Sequence, residues 1–241
     1  MIDLRKGDCL KVMKGIPDGS IDAIITDPPY GTTACKWDSV IDFDLMWEQL
    51  NRIIKPNGAI VLFGSEPFSS ALRMSNIKNY KYDWVWNKVN RFTNTLNVNR
   101  QPLRIYENIS VFYGKQCVYN KQMRIGRSYK TTRTGKGYEG NSKYKVIEFG
   151  ENRGLHNPKN IIDIKADNKK ENGLHPTQKP ILLMEYLIST YTNENETVLD
   201  FTMGSGSTGV AAKNLNRNFI GIEQDEKYFE IATERINSTL F

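Results

Sequence analysis

The sequence predicts an α/β chain built on one open, mixed, mostly parallel sheet flanked by helices. Three observations carry that prediction. Strand and helix patterns alternate from residue 2 to residue 86. A polar, basic stretch interrupts them, and the alternation resumes at Pro180. Residues 197–209 then read as a strand, a glycine-rich turn and a helix start. Parallel strands need helical crossovers, so two such blocks flanking one polar stretch imply a single sheet completed by both ends of the chain.

The elements follow from local pattern. Residues 2–5 form a short strand and 9–15 a short helix. Residues 21–26, Ile-Asp-Ala-Ile-Ile-Thr, read as a buried strand stopped by Pro28. Leu45, Met46, Leu50, Ile53 and Ile54 recur at helical spacing over 43–54. Lys55-Pro56-Asn57-Gly58 ends that helix and opens a strand at 59–63. Residues 69–74 are a further short helix and 82–86 a strand. Between 87 and 172 the periodicity weakens, apart from one strand at 109–113. So long a stretch inside a compact domain reads as a functional insertion, part of which orders only on a partner. Pro180 suits a first helical position, with the helix running over 181–191. Strands at 197–201 and 219–223 and helices at 207–215 and 227–236 complete the pattern.

Composition bounds the function. With 241 residues, 39% hydrophobic and 25% charged, the chain suits one large globular domain with an insertion. No apolar run reaches the about 18 residues of a membrane span, so no membrane partner is expected. The first six residues lack a signal-peptide core. Cys9, Cys35 and Cys117 form neither a disulfide framework nor a zinc spacing, which reads as a reduced, cytoplasmic chain. His156 and His175 have no ligand company, so no metal is expected. The charge is uneven. Residues 88–170 carry 18 Lys/Arg against 6 Asp/Glu, a net of +12, and the remainder carry 15 against 21, a net of −6. Aromatics are interleaved in the basic part (Phe92, Tyr106, Phe112, Tyr119, Tyr129, Tyr138, Tyr144), which predicts contact with a nucleic acid.

Two motifs carry chemistry. Asp27-Pro28-Pro29-Tyr30 directly follows the 21–26 strand, in the crevice where open α/β sheets bind ligands. The prolines fix φ and remove N–H donors, leaving carbonyls free to accept. A carboxylate, a free carbonyl and an aromatic ring on a stiff loop suit a planar substrate bearing an amino group, such as a nucleobase. In the second motif, Gly204, Gly206 and Gly209 satisfy G-x-G-x-x-G, and Glu223 ends the next strand 19 residues after Gly204. Glycines admit a ligand to the backbone, and the acid accepts from ribose hydroxyls. NAD and S-adenosylmethionine (SAM) both fit this spacing, and the SAM sulfonium favours a carboxylate such as Asp200. A hydride-transfer enzyme has no use for an amino-group cradle, which points to SAM.

With both motifs in hand, the chain resembles the β group of DNA amino-methyltransferases, which act on adenine N6 or cytosine N4. The carrying segments are Gly7-Asp8-Cys9-Leu10, the run ending in Asp27-Pro28-Pro29-Tyr30, His175-Pro176-Thr177-Gln178-Lys179-Pro180, residues 200–208 and Glu223. They cover about 150 residues, everything outside the insertion. The resemblance implies a SAM-dependent methyltransferase (Rossmann-like) fold with circularly permuted motifs. Residues 1–87 and 171–241 are then the catalytic, SAM-binding domain and 88–170 the target-recognition insertion. It implies Asp27, Pro28, Pro29 and Tyr30 as catalytic. Asp8, Cys9, Asp27, Thr177, Lys179, Asp200, Phe201, Gly204, Gly206 and Glu223 would hold SAM, Cys9 through its backbone N–H. Lys179 reads as a surface lysine at the cofactor mouth. Phosphate or base contacts fall to Arg91, Arg100, Arg104, Lys121, Arg124, Arg127, Lys130 and Arg133. Two departures stand out. The proline common after the 200-position aspartate is missing, and Tyr106-Glu107 replaces a frequent His-Glu; neither is expected to touch the chemistry.

Aspartate at position 27 favours adenine in that family, so the expected reaction is methylation of adenine N6 at specific DNA sites after base flipping. Cytosine N4 methylation and a catalytically silent DNA-binding regulator are the alternatives, with an NAD-dependent oxidoreductase behind them. DNA is the expected partner. The resemblance also admits a homodimer and a cognate restriction endonuclease, though no residue pattern specifies either.

Overall fold

The computed structural model describes residues 1–32, 38–93, 95–135, 145–167 and 178–238, with backbone alone for 131–135 and 145–152. His175 and Thr177 lie outside the described residues. The chain divides into two compact units, residues 1–120 with 160–241, and Lys121–Lys159.

The larger unit is built on an eight-stranded sheet. In chain order its strands are β1 (Ile2–Lys6), β2 (Ile21–Thr26), β3 (Ile54–Gly64), β4 (Tyr80–Asn87), β5 (Tyr106–Phe112), β10 (Ile161–Asp163), β11 (Thr197–Asp200) and β12 (Asn218–Glu223). Their spatial order is β1-β12-β11-β2-β3-β5-β4-β10. All neighbours are parallel except where β5 runs antiparallel between β3 and β4. The two ends of the chain interleave. Strand β11 pairs with β2 through Val198 opposite Ala23 and Leu199 opposite Ile24. The loops that follow these two strands therefore start side by side at one edge of the sheet.

Both sheet faces are covered, which is why the central strands are apolar runs rather than alternations. In β3, Ala59, Val61 and Phe63 enter one core, while Ile60 and Leu62 enter the other, as the two-residue period of a strand demands. The first core takes Leu183, Leu187 and Ile188 of α4 (Ile181–Tyr191), Val210 and Ala211 of α5 (Ser207–Asn214), and Ala232 and Ile236 of α6 (Glu226–Ser238). The second takes Met46, Trp47, Leu50 and Ile53 of α2 (Phe43–Ile53), with Phe68 and Leu72 of α3 (Phe68–Ser75). The short helix α1 (Cys9–Val12) is capped by Asp8, whose side chain accepts from Lys11 N at 3.1 Å.

Several boundaries differ from the sequence expectation. Strand β3 begins at Ile54 rather than 59, because the pairing of Ile21 with Ile54 is separated from that of Ala23 with Ala59 by an irregularity that accommodates Pro56. Pro180 is the cap residue, with φ −61° and ψ 136°, and the helix starts one position later. Two strands of the polar stretch, β5 and β10, belong to the main sheet. The separate unit is shorter than 88–170 and consists of antiparallel pairs. These are β6 (Arg124–Ile125) with β9 (Leu155–His156), and β7 (Tyr129–Gly135) with β8 (Lys145–Asn152).

Candidate active site

Where β2 and β11 end, their loops are stitched together. Thr26 Oγ1 donates to Asp200 Oδ1 at 2.8 Å and accepts from Phe201 N at 3.0 Å. Thr202 Oγ1 donates to the Asp27 carbonyl at 3.1 Å. A single cavity of about 510 Å³ opens between the two loops. Its lining includes Asp27, Pro28, Pro29 and Tyr30 from the first loop and Phe201, Thr202, Gly204 and Ser205 from the second. Asp8, Cys9, Lys179, Asp200 and Glu223 also line it. The volume lies within the about 300–1,000 Å³ range of small-molecule sites.

Asp38 shapes the first loop. Its Oδ1 accepts from Tyr30 N at 2.8 Å and Gly31 N at 2.9 Å, and its Oδ2 from Thr32 N at 2.9 Å. Three donors on one buried carboxylate fix the turn after Pro29. The Tyr30 ring stacks on Phe68 with centroids 5.0 Å apart, and its hydroxyl donates to Asp27 Oδ1. Asp27 Oδ2 is held by the Lys179 ammonium. Burial pushes the Asp27 carboxyl above its usual range; Lys179 opposes that rise and Glu107 adds to it. Burial likewise drives the Tyr30 phenol well up.

In the second loop Gly204 and Gly206 have φ of +53° and +79°, a region costly for residues with a Cβ. Only Gly204 lines the cavity. A Cβ on Gly206 would sit 3.0 Å from Ile236 and 3.1 Å from Ala232, so Gly206 serves the packing of α5 against α6. Glu223 Oε2 accepts from Gly204 N at 2.9 Å, and Oε1 from Asp225 N at 2.8 Å. The Gln224 backbone also faces this carboxylate, and a carboxylate has about four lone-pair directions, so one stays open to a ligand hydroxyl. Burial raises Glu223. Asp200 lines the wall, yet its carboxylate accepts from Thr26, from Thr208 Oγ1 at 2.5 Å and from Thr202 N at 3.2 Å. Burial pushes it up to about 6. Burial also pushes the Cys9 thiol up to about 12, which leaves its side chain unreactive.

Sequence reasoning missed Glu107, Lys88 and Asp38, and placed Lys179 at the surface. Lys179 is no surface lysine: it is 7% exposed, and besides Asp27 it meets Glu107 Oε2 at 3.4 Å. Glu107, expected to stand away from the chemistry, lines the same cavity with Lys88, which contacts Glu107 Oε1 at 2.5 Å. Glu107 opens an apolar strand, and an acid there needs a buried cation; that signal was readable. Asp38 left none, because the N–H groups of Tyr30, Gly31 and Thr32 that it holds are backbone groups.

Of the basic candidates, Arg91 is half-buried and Arg100 and Arg104 are exposed in the larger unit; Arg104 reaches Ser65 Oγ at 2.5 Å. Lys121, Arg124, Arg127 and Lys130 are exposed in the smaller unit, which also contains Arg133. His156 stacks on Tyr129 at 5.5 Å, with Nε2 3.0 Å from the Arg127 carbonyl. Among the described residues no cluster of His, Cys, Asp or Glu could hold a metal, and no helix is long and apolar enough to cross a membrane.

The DNA methylase family N6_N4_Mtase matches residues 21–234. The Type II methyltransferase M.HpaI of Haemophilus parainfluenzae is 30% identical over 247 residues, covering 96% of this chain and 73% of that protein. A crystal structure of an M1.HpyAVI–SAM complex is 31% identical with TM-score 0.66, covering 98% of this chain and all of that one. The PvuII DNA methyltransferase (cytosine-N4-specific) is 17% identical with TM-score 0.72, over 99% of this chain and 88% of that one. At that identity the likeness is one of fold.

Proposed function

The chain belongs to the N6_N4_Mtase family of DNA methylases and has the mostly parallel, mixed sheet of the SAM-dependent methyltransferases, and from that premise we propose that it methylates the N6 amino group of adenine in DNA. One observation carries this reading: the Asp27-Pro28-Pro29-Tyr30 loop and the glycine loop with Glu223 line one cavity. The residues fit SAM. Glu223 has an open lone-pair direction for a ribose hydroxyl, Gly204 admits a ligand to the backbone, and Asp8 and Cys9 line the wall at the start of α1. When bound, SAM supplies a methyl group activated by its sulfonium.

The rest of the chemistry belongs to the chain. An adenine amino nitrogen is a poor nucleophile because its lone pair is delocalised into the ring. Asp27 Oδ1 accepts one N–H and the Pro28 carbonyl the other, which turns the lone pair out of conjugation. Pro28 and Pro29 carry no N–H to compete. With SAM held by Glu223 and the Gly204 loop, its methyl group would pass from sulfur to the amino nitrogen, the carbon–sulfur bond breaking as the nitrogen–carbon bond forms. The Asp27 carboxylate stabilises the positive charge developing on nitrogen and takes the released proton. Holding the reactants in register can supply about 7–11 kcal/mol of the barrier. Tyr30 stacks on the base once its hydroxyl leaves Asp27.

A duplex base must leave the stack to reach this loop, at a cost of a few kcal/mol. Arg91, Arg100, Arg104, Lys121, Arg124, Arg127, Lys130 and Arg133 supply phosphate contacts that offset it and weaken with salt. Aspartate at position 27 supports adenine over cytosine. The test is nucleoside analysis of DNA treated with the protein and methyl-labelled SAM. Label in N6-methyladenine is expected; label in N4-methylcytosine, or none, contradicts the reading.

A further inference from the structure

Five ionisable side chains touch in sequence along the cavity: Tyr30, Asp27, Lys179, Glu107 and Lys88. They come from four places in the chain, namely the loop after β2, the residue before Pro180, the start of β5 and the residue after β4. The Lys88 and Glu107 side chains are 10% and 14% exposed. Lys179 lies over the Phe63 ring at 5.2 Å and Lys88 over Trp86 at 5.2 Å, which closes both cations in on their apolar sides. Buried ion pairs of this kind contribute little net stability, because desolvation offsets their attraction. Three such charges beside a proposed catalytic carboxylate call for a functional reason.

We propose that Lys179, tethered by Glu107 and Lys88, is a positioning residue that holds Asp27 by Oδ2 as an ionised carboxylate, with Oδ1 left for the substrate amino group. This rests on the reading that Asp27 accepts from that amine. The two oxygens of Asp27 are engaged differently. Tyr30 holds Oδ1 by a hydroxyl that leaves as the ring turns to the base, whereas Lys179 stays on Oδ2 throughout. Burial alone favours a protonated Asp27, which could not accept an N–H, and the Glu107 charge pushes the same way. Asp200, on the neighbouring strand, adds like charge. Among the described residues the Lys179 ammonium is the cation in contact with Asp27, and it opposes both burial and Glu107. Glu107 in turn holds Lys179 charged, and Lys88 holds Glu107: the two ammoniums outweigh burial and keep the Glu107 carboxyl below its usual range. Lys179 thus acts on Asp27 rather than on the cofactor.

The experiment is the pH dependence of single-turnover methyl transfer to duplex DNA at saturating SAM. It compares wild type, Lys179→Met, Lys179→Arg and Glu107→Gln, with calorimetric SAM affinity and melting temperature measured alongside. An opposite charge at contact lowers a carboxylate by about 1–3 pH units, so Lys179→Met moves the acid limb up by about that much. Glu107→Gln keeps an amide oxygen that can still hold Lys179 in place and removes only the repelling charge, so it moves the limb down. Lys179→Arg returns it towards wild type. A limb that stays put in Lys179→Met, or that moves the same way in both neutralising variants, overturns the proposal. So does a Lys179→Met whose only defect is SAM affinity. Should Lys179→Met not fold, Glu107→Gln decides alone: a limb unmoved or raised overturns the proposal. A wild-type protein that methylates no DNA fails at an earlier step and removes the underlying reading as well.

Discussion

The hydroxyl of Thr202 donates to the backbone carbonyl of Asp27 across 3.1 Å, joining residues 175 positions apart. That bond ties the loop after β11 to the loop after β2, and it exists because Val198 and Leu199 pair with Ala23 and Ile24 just before the two strands end. The candidate site is thus a consequence of which strands are neighbours.

Asp38→Ala removes the acceptor of three backbone N–H groups at Tyr30, Gly31 and Thr32. Hydrogen bonds to a charged group contribute about 1.5–3 kcal/mol, and a loss of that order is expected in urea unfolding. Steady-state assays should show methyl transfer falling further than SAM affinity, since Asp38 shapes the Asp27 loop and not the glycine loop. Equal losses in both would contradict this.

Gly206→Val places a β-branched residue at φ +79° with Ile236 and Ala232 at 3.0–3.2 Å. Backbone strain of about 1–3 kcal/mol and a similar overpacking cost are expected. The readout is a lower melting temperature with or without SAM. A variant of native stability that merely fails to bind SAM would show that Gly206 meets the ligand after all.

Burial pushes the Asp200 carboxyl up to about 6 in the folded chain, from 3.8 for an exposed group. The folded state therefore holds the extra proton between those values, and stability falls as pH rises through that window. At 1.36 kcal/mol per unit the loss amounts to about 3 kcal/mol at most. Asp200→Asn should flatten the slope of unfolding free energy between about pH 4 and 6. An unchanged slope would mean that other carboxyls carry it.

Arg100→Ala and Lys121→Ala each remove one exposed cation of the basic stretch. If each meets a phosphate, the slope of log K against log salt should shrink by about 0.9 per substitution. Fluorescence anisotropy on a DNA duplex at several salt concentrations measures it, and an unaltered slope removes the residue from the interface.

Much of this fold is legible in residue pattern. Isoleucines at 21, 24 and 25 mark a strand buried on both faces, and the spacing of Met46, Leu50 and Ile53 marks a helix. Residues 197–223 announce strand, glycine turn, helix and strand in order. Less is legible where burial depends on distant partners. Lys179 sits in a polar segment that carries no local sign of a buried ion pair, and its role appears only once Asp27, Glu107 and Lys88 converge on it. Strand β10 is three residues long and polar at one end, so only its pairing with β4 reveals it. Gly206 satisfies a ligand-binding pattern, while its packing partners come from α6, some thirty residues away.

The most direct test of the account uncouples binding from chemistry at Asp27. SAM affinity by calorimetry and methyl incorporation into DNA are measured side by side on wild type and Asp27→Ala. The account predicts SAM affinity within a few-fold of wild type and transfer reduced at least about 100-fold. An Asp27→Ala protein that still methylates adenine at a comparable rate would contradict it.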